Sequence, residues 1–156
     1  MLRKTPQPKK SCTIRRGLVQ QAPMPSPVPI PVVCALIERD GCLLLAQRPP
    51  NKHLPLKWEF PGGKVEPGEA ASAAVVREIK EELSCEIVIR RALPSFLHDY
   101  KTVIIEMLPF VCQLAAQSPE PSANEHVALA WVKPNEVARY DLAAADVPII
   151  ALYQQR

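Results

Sequence analysis

Gly63-Lys64-Val65-Glu66-Pro67-Gly68-Glu69-Ala70-Ala71-Ser72-Ala73-Ala74-Val75-Val76-Arg77-Glu78-Ile79-Lys80-Glu81-Glu82-Leu83 is the stretch that decides the fold. Residues 69–83 carry the strongest helix signal in the chain. At about 100° per residue, Val75, Val76, Ile79 and Leu83 fall in one arc, a stripe able to pack on a sheet. Glu78, Glu81 and Glu82 fall in a second arc shared only with Ala71 and Ala74. The acidic arc is electrostatically awkward. Glu78–Glu81 and Glu78–Glu82 are like-charge pairs at i,i+3 and i,i+4, each costing about 0.2–0.5 kcal/mol. All three lie towards the helix C-terminus, where the dipole disfavours anions. A solvated acidic face is the plain reading. Small neighbours and a glycine-rich turn just ahead favour a hard-cation site, because clustered carboxylates suit Mg²⁺ or Mn²⁺ with substrate phosphates as further ligands.

Outward from this stretch the chain alternates strand and helix signals. Residues 32–37 form a short apolar, β-rich run, Asp40-Gly41 is a hairpin turn, and residues 42–46 return. Trp58-Glu59-Phe60 reads as a short strand. Residues 86–97 and 102–114 read as two strands, 127–132 as another, 134–139 as a short helix and 147–155 as a terminal helix. Hairpins mixed with helices imply an α/β fold: a mixed sheet with helices on its faces.

With 156 residues the chain has room for one domain with a real core. Hydrophobic residues at 47% and charged residues at 22% exclude wholesale disorder. The longest apolar runs, residues 28–37 and 103–114, are too short or interrupted to cross a bilayer, so no membrane partner is expected. The net charge of +3 conceals a split. Residues 1–16 hold six bases and no acid, leaving residues 17–156 with 13 bases and 16 acids, a net of −3.

Residues 1–29 read as a basic, Pro-rich flexible extension, and residues 30–156 as the domain. Pro23, Pro25, Pro27, Pro29 and Pro31 alternate with other residues, favouring extended polyproline conformation and excluding a helix or central strand. The basic head can contact nucleic acid electrostatically or serve in targeting, but a solvated tail is the simpler reading. A start at Met24 would leave 133 residues. Cys12, Cys34, Cys42, Cys85 and Cys112 form no C-x-x-C pair, which implies reduced thiols in a reducing compartment, the cytoplasm.

The quoted stretch also resembles a family pattern. Gly63, five residues, Glu69, seven residues, then Arg77-Glu78-Ile79-Lys80-Glu81-Glu82 is similar to the Nudix box, G-x5-E-x7-R-E-U-x-E-E-x-G-U, where U is aliphatic. Seven residues recur at fixed spacing over 23 positions. Ser84 stands where the family has glycine, and Cys85 where it has an aliphatic residue. That glycine is expected to be a left-handed helix stop, so Ser84 costs on the order of 1 kcal/mol. Further matches lie in Ala46-Gln47-Arg48-Pro49, in residues 58–64, in Glu125-His126 with Trp131-Val132, and in residues 145–148. They resemble the MutT-like branch, notably pyrophosphohydrolases of oxidised dGTP and modified CTP.

The resemblance implies a Nudix-type α/β/α sandwich. It implies Mg²⁺-dependent cleavage of a nucleoside triphosphate to monophosphate and pyrophosphate, as in nucleotide-pool sanitation. It assigns metal to the Gly62 carbonyl, Glu78, Glu81, Glu82 and Glu125, with Glu78 or Glu125 as the base that deprotonates water. Arg77 is implied to partner a box glutamate such as Glu69. Phe60 and Asp146 are implied in base recognition, although Phe60 also suits plain core packing and Asp146 also suits a cap on the last helix. Arg48 and Lys64 suit either phosphate contacts or ordinary surface charge. His53, His98 and His126 form no triad and read as surface or loop histidines. Monomer and homodimer both remain open. Two rivals stand: hydrolysis of ADP-ribose or a sugar nucleotide, and a non-catalytic nucleic-acid-binding module of the same fold.

Overall fold

A computed structural model describes residues 26–155. The expectations for the basic head before residue 26, Met24 included, lie outside the described residues.

Strands β1 (Ile30–Arg39) and β2 (Cys42–Gln47) form the hairpin, turned by Asp40 and Gly41 at φ 51 and 75. Two successive positive φ values are what a tight turn between twisted strands requires. Short strands β3 (Trp58–Glu59) and β4 (Gly62–Lys64) precede helix α1 (Ala71–Leu83). Then come β5 (Ile87–Ala92), β6 (Phe96–Asp99), β7 (Ile104–Leu114), β8 (Ala128–Val132) and helix α2 (Ile149–Gln154). The backbone of the sheet runs β3-β2-β1-β7-β5, with β4 on β1, β6 on β7 and β8 on β2. Among the ladders between the described strands, the one joining β1 and β7, from Ile30↔Ile105 to Glu38↔Gln113, is parallel and the others antiparallel, so the sheet is mixed.

Alternation along β1 builds two cores. Val33, Ala35 and Ile37 face α1 and pack with Ala74, Val75, Ile79 and Leu83. Cys34 and Leu36 face the other side and pack with Phe60, Val137 and Ile149. A strand buried on both faces reads as a continuous apolar run, as β1 does. The fold is thus an α/β/α sandwich.

Several expectations are corrected. The helix starts at Ala71 rather than residue 69, because Glu69 is tied to Arg77 and to the Glu66 N–H. Val76 is 39% exposed and Ala74 is buried in its place, since the sheet contact follows the 75/79/83 row and its Ala74 neighbour. The run 86–97 splits into β5 and β6 around Leu93-Pro94-Ser95, and Leu93 N–H donates to Pro109 O at 2.9 Å. Pro31 lies inside β1, contrary to its exclusion from a central strand. Its carbonyl accepts from Val65 N–H at 3.0 Å, just past the end of β4, so its missing donor falls where that ladder stops. Residues 134–139 reduce to a 3₁₀ turn at Val137–Arg139.

Cys34, Cys85 and Cys112 are buried and free. Burial pushes the Cys85 thiol up to about 11 and Cys112 to about 12, so both stay protonated and inert. Among the described residues no helix is long and apolar enough to cross a membrane.

Candidate active site

Strand β4 is squeezed between β1 and α1, and its glycines make that possible. A Cβ on Gly62 would collide with the Val33 carbonyl oxygen, and one on Gly63 would collide with the Glu78 carboxylate. The two glycines, expected in a turn but paired with β1 as a strand, therefore let the β4 backbone lie directly against the acidic face of α1.

Three carboxylates of that face have different surroundings. Glu82 Oε2 accepts from Gly62 N–H at 3.3 Å. Burial, then the charges of Glu59, Glu78 and Glu125, push its carboxyl up to about 8. Glu78 Oε1 accepts from Arg77 Nη1 at 2.8 Å. Glu81 is more exposed and meets the same guanidinium at 3.4 Å. Arg77 is held in a fork by Glu69, with Nε and Nη2 each 2.8 Å from one carboxylate oxygen, and Nη2 also donates to Lys64 O at 3.1 Å. That fork lowers the Glu69 carboxyl to about 2. Arg77 thus ties the start of the box to its end and to β4.

Glu125 is half exposed and pairs with Lys52 at 2.9 Å. It follows a loop seated on the end of α1: Asn124 N–H donates to Glu82 O at 3.1 Å, and Ser122 N–H to Leu83 O at 2.9 Å.

No three His, Cys, Asp or Glu side chains among the described residues enclose a common point, and Glu78 and Glu81 are both engaged by Arg77. The donor set nevertheless fits a hard divalent cation. Its side-chain members are all carboxylates beside the two glycines of β4, and burial, then repulsion from Glu59, Glu78 and Glu125, raises the Glu82 carboxyl to about 8. A cation relieves that repulsion.

A cavity of about 420 Å³ opens beside this face, lined by Gly62, Gly63 and Lys64 as well as by Phe60, Arg48 and Asp146. Phe60 is buried and belongs both to the core and to the cavity wall. Asp146 is only 5% exposed, and its Oδ1 accepts from Phe60 N–H at 2.8 Å. Burial, then Glu59, push its carboxyl up to about 8. Its side chain caps no helix: α2 has Pro148 at its N-cap and no side-chain cap. Arg48 does not stand free for phosphate, since Nη1 pairs with Glu59 at 2.8 Å and Nε donates to His53 O at 2.7 Å. Lys64 is exposed at the cavity rim.

Sequence reasoning missed three groups. Glu59 sits between the two halves of the site, bonded to Arg48 and, at 3.0 Å, to His126 Nε2. His126 is 9% exposed, so it is no surface histidine, and its Nδ1 is buried without a partner. The adjacency of Glu59 to Phe60, and of His126 to Glu125, was the available signal. Tyr100 lines the cavity and its hydroxyl accepts from Ala145 N–H at 3.1 Å, next to Asp146.

Residues 32–152 match the family model described as the NUDIX domain. The chain is 40% identical over 124 residues to the CTP pyrophosphohydrolase of Escherichia coli strain K12, covering 80% of this chain and 90% of that one. It is 35% identical over 132 residues to nucleoside triphosphatase NudI of Salmonella paratyphi B, covering 78% and 94% respectively. Among solved structures, the E. coli ORF135 protein superposes with a TM-score of 0.72 at 39% identity, covering 85% of this chain and 93% of that one. Family model, relatives and sandwich fold agree, and the chain belongs to the NUDIX domain family as an enzyme of the Nudix hydrolase type.

Proposed function

We propose that the protein is a Mg²⁺-dependent pyrophosphohydrolase of nucleoside triphosphates, releasing a monophosphate and pyrophosphate, with oxidised or modified nucleotides such as modified dCTP or 8-oxo-dGTP as its substrate class. One observation carries this reading. A single cavity is lined both by the glycines of β4, backed by Glu78 and Glu82 of α1, and by a buried carboxyl, Asp146, beside an aromatic ring, Phe60. The first part suits a polyphosphate and the second a base. The relatives named for CTP and for nucleoside triphosphates support it.

Glu78, Glu81, Glu82 and Glu125, with the Gly62 carbonyl, are the groups to hold the metal. Mg²⁺ held by these groups would neutralise polyphosphate charge and lower the pKa of a water for attack at phosphorus. Arg77 orients Glu78 through its Nη1 contact, and Glu78 or Glu125 receives the proton that water gives up. Asp146, with its pKa near 8, keeps a proton at neutral pH and so offers the base a hydrogen-bond donor, while its other oxygen stays on Phe60 N–H. Lys64, exposed at the rim, is a cation placed to meet a phosphate. Elimination of mutagenic or modified nucleotides from the pool would be the physiological outcome.

The test is a product panel. With Mg²⁺, the protein is offered 8-oxo-dGTP, dCTP, 5-methyl-dCTP, ADP-ribose and UDP-glucose. Pyrophosphate from a triphosphate supports the reading; orthophosphate alone, or turnover of ADP-ribose only, refutes it.

A further inference from the structure

Helix α1 ends in an unusual way. Its final residues carry the carboxylates, and its last four carbonyls would ordinarily lack partners. Here each one is satisfied. Lys80 O accepts from Ser84 N–H at 3.1 Å, the helix's own stop. The other three are taken by one distant loop. Glu81 O accepts from Asn124 Nδ2 at 3.1 Å, Glu82 O from Asn124 N–H at 3.1 Å, and Leu83 O from Ser122 N–H at 2.9 Å.

Ser84 explains how the loop is fixed there. It adopts the left-handed conformation, φ 53 and ψ 28, that favours glycine. Glycine would fill it with less strain but would offer no side chain. Ser84 Oγ instead accepts from Asn124 Nδ2 at 2.6 Å, and the one Ser122 Oγ proton is shared between Asn124 Oδ1 and Leu83 O, each at 3.3 Å. Both ends of the Asn124 amide are therefore engaged. The next residue is Glu125. Beyond it, His126 Nε2 bonds Glu59 at 3.0 Å and Val127 N–H donates to Gln47 O at 2.9 Å. Glu125 is thus the residue between two anchors, one on the helix end and one on the sheet.

We propose that Asn124, latched to Ser84, is a positioning residue that holds Glu125 in register with Glu81 and Glu82, so that carboxylates from two distant segments act as one divalent-cation site. The latch rests on the functional reading above. Loss of the latch removes no carboxylate but frees Glu125 to move relative to α1. Positioning groups of this kind typically change metal affinity by about 10–100-fold when removed, and a half-exposed ligand falls at the lower end.

The experiment is a Mn²⁺ titration of the full chain without nucleotide, read by the electron paramagnetic resonance signal of free Mn²⁺, beside thermal unfolding. Asn124→Ala is expected to weaken Mn²⁺ binding by about tenfold. Should that variant fold poorly, Ser84→Gly serves, because it relieves backbone strain. It is expected to bind Mn²⁺ at least about threefold more weakly while its Tm stays level or rises. In a Glu125→Gln background the same Ser84→Gly change is expected to have no further effect on Mn²⁺ affinity, which a merely structural cap would not produce. Equal weakening in both backgrounds, or unchanged binding in Ser84→Gly, overturns the latch alone. A wild-type protein that binds no Mn²⁺ overturns the functional reading together with the latch.

Discussion

Replacing Asp146 by asparagine should alter how stability depends on pH, and the size of the effect follows from the buried carboxyl. The carboxamide keeps the shape and the acceptor for Phe60 N–H but cannot ionise. In the folded protein the Asp146 carboxyl is raised from 3.8 to about 8, chiefly by burial and by Glu59. A raised pKa means that the folded state holds a proton which the unfolded chain has released. The stability gained from that proton is complete below about pH 4 and drains away as pH climbs towards 8. Within this window wild type loses about 1.4 kcal/mol per pH unit relative to the variant, or about 3 kcal/mol between pH 5.5 and 7.5. Glu82, also raised to about 8, tilts both proteins alike, so the difference isolates Asp146. Urea unfolding in EDTA, followed by tryptophan fluorescence at several pH values, measures it. An offset between the two proteins that stays constant within about 0.5 kcal/mol from pH 5.5 to 7.5 would show that Asp146 is ionised in the folded state, and its role as a donor to the base would fall.

Other substitutions separate chemistry from packing. Gly63→Ala drives a methyl into the Glu78 carboxylate, so kcat should fall at least about tenfold while the fold persists by circular dichroism. Ile79→Ala opens a cavity under α1 at a fully buried position and should cost about 2–5 kcal/mol in urea unfolding. Arg77→Lys gives up the two-pronged grip on Glu69 as well as the contact with Glu78, and kcat/KM should drop about tenfold.

Much of this was legible in the chain because its signals are local. The i,i+4 row of Val75, Ile79 and Leu83 placed α1 on the sheet, and Asp40-Gly41 placed the hairpin. Arg77 and Glu69 are eight residues apart across a helix start, so their pairing was readable as well. What stayed hidden depends on pairs distant in sequence. The parallel ladder between β1 and β7 has no local signature, and it is this ladder that carries Pro31 into a strand. His126 does lie in the loop before β8, but its burial against Glu59, 67 positions away, could not be read locally. Ser84 looked like a defect in a glycine pattern, and only the arrival of Asn124 from 40 residues on shows what its hydroxyl holds. The charges of the helix face were legible, but not their partners: Arg77 Nη1 reaches both Glu78 and Glu81, whereas Glu82 meets the Gly62 N–H.

The most direct test of the account compares wild type with Glu82→Gln on a modified dCTP in Mg²⁺, with products resolved by phosphorus NMR. Wild type should yield pyrophosphate and a monophosphate and stop on addition of EDTA, whereas Glu82→Gln should lose at least about a hundredfold in kcat. A Glu82→Gln protein that keeps full activity, or wild-type turnover that EDTA does not touch, would contradict the assignment of this helix face to a metal-bridged triphosphate.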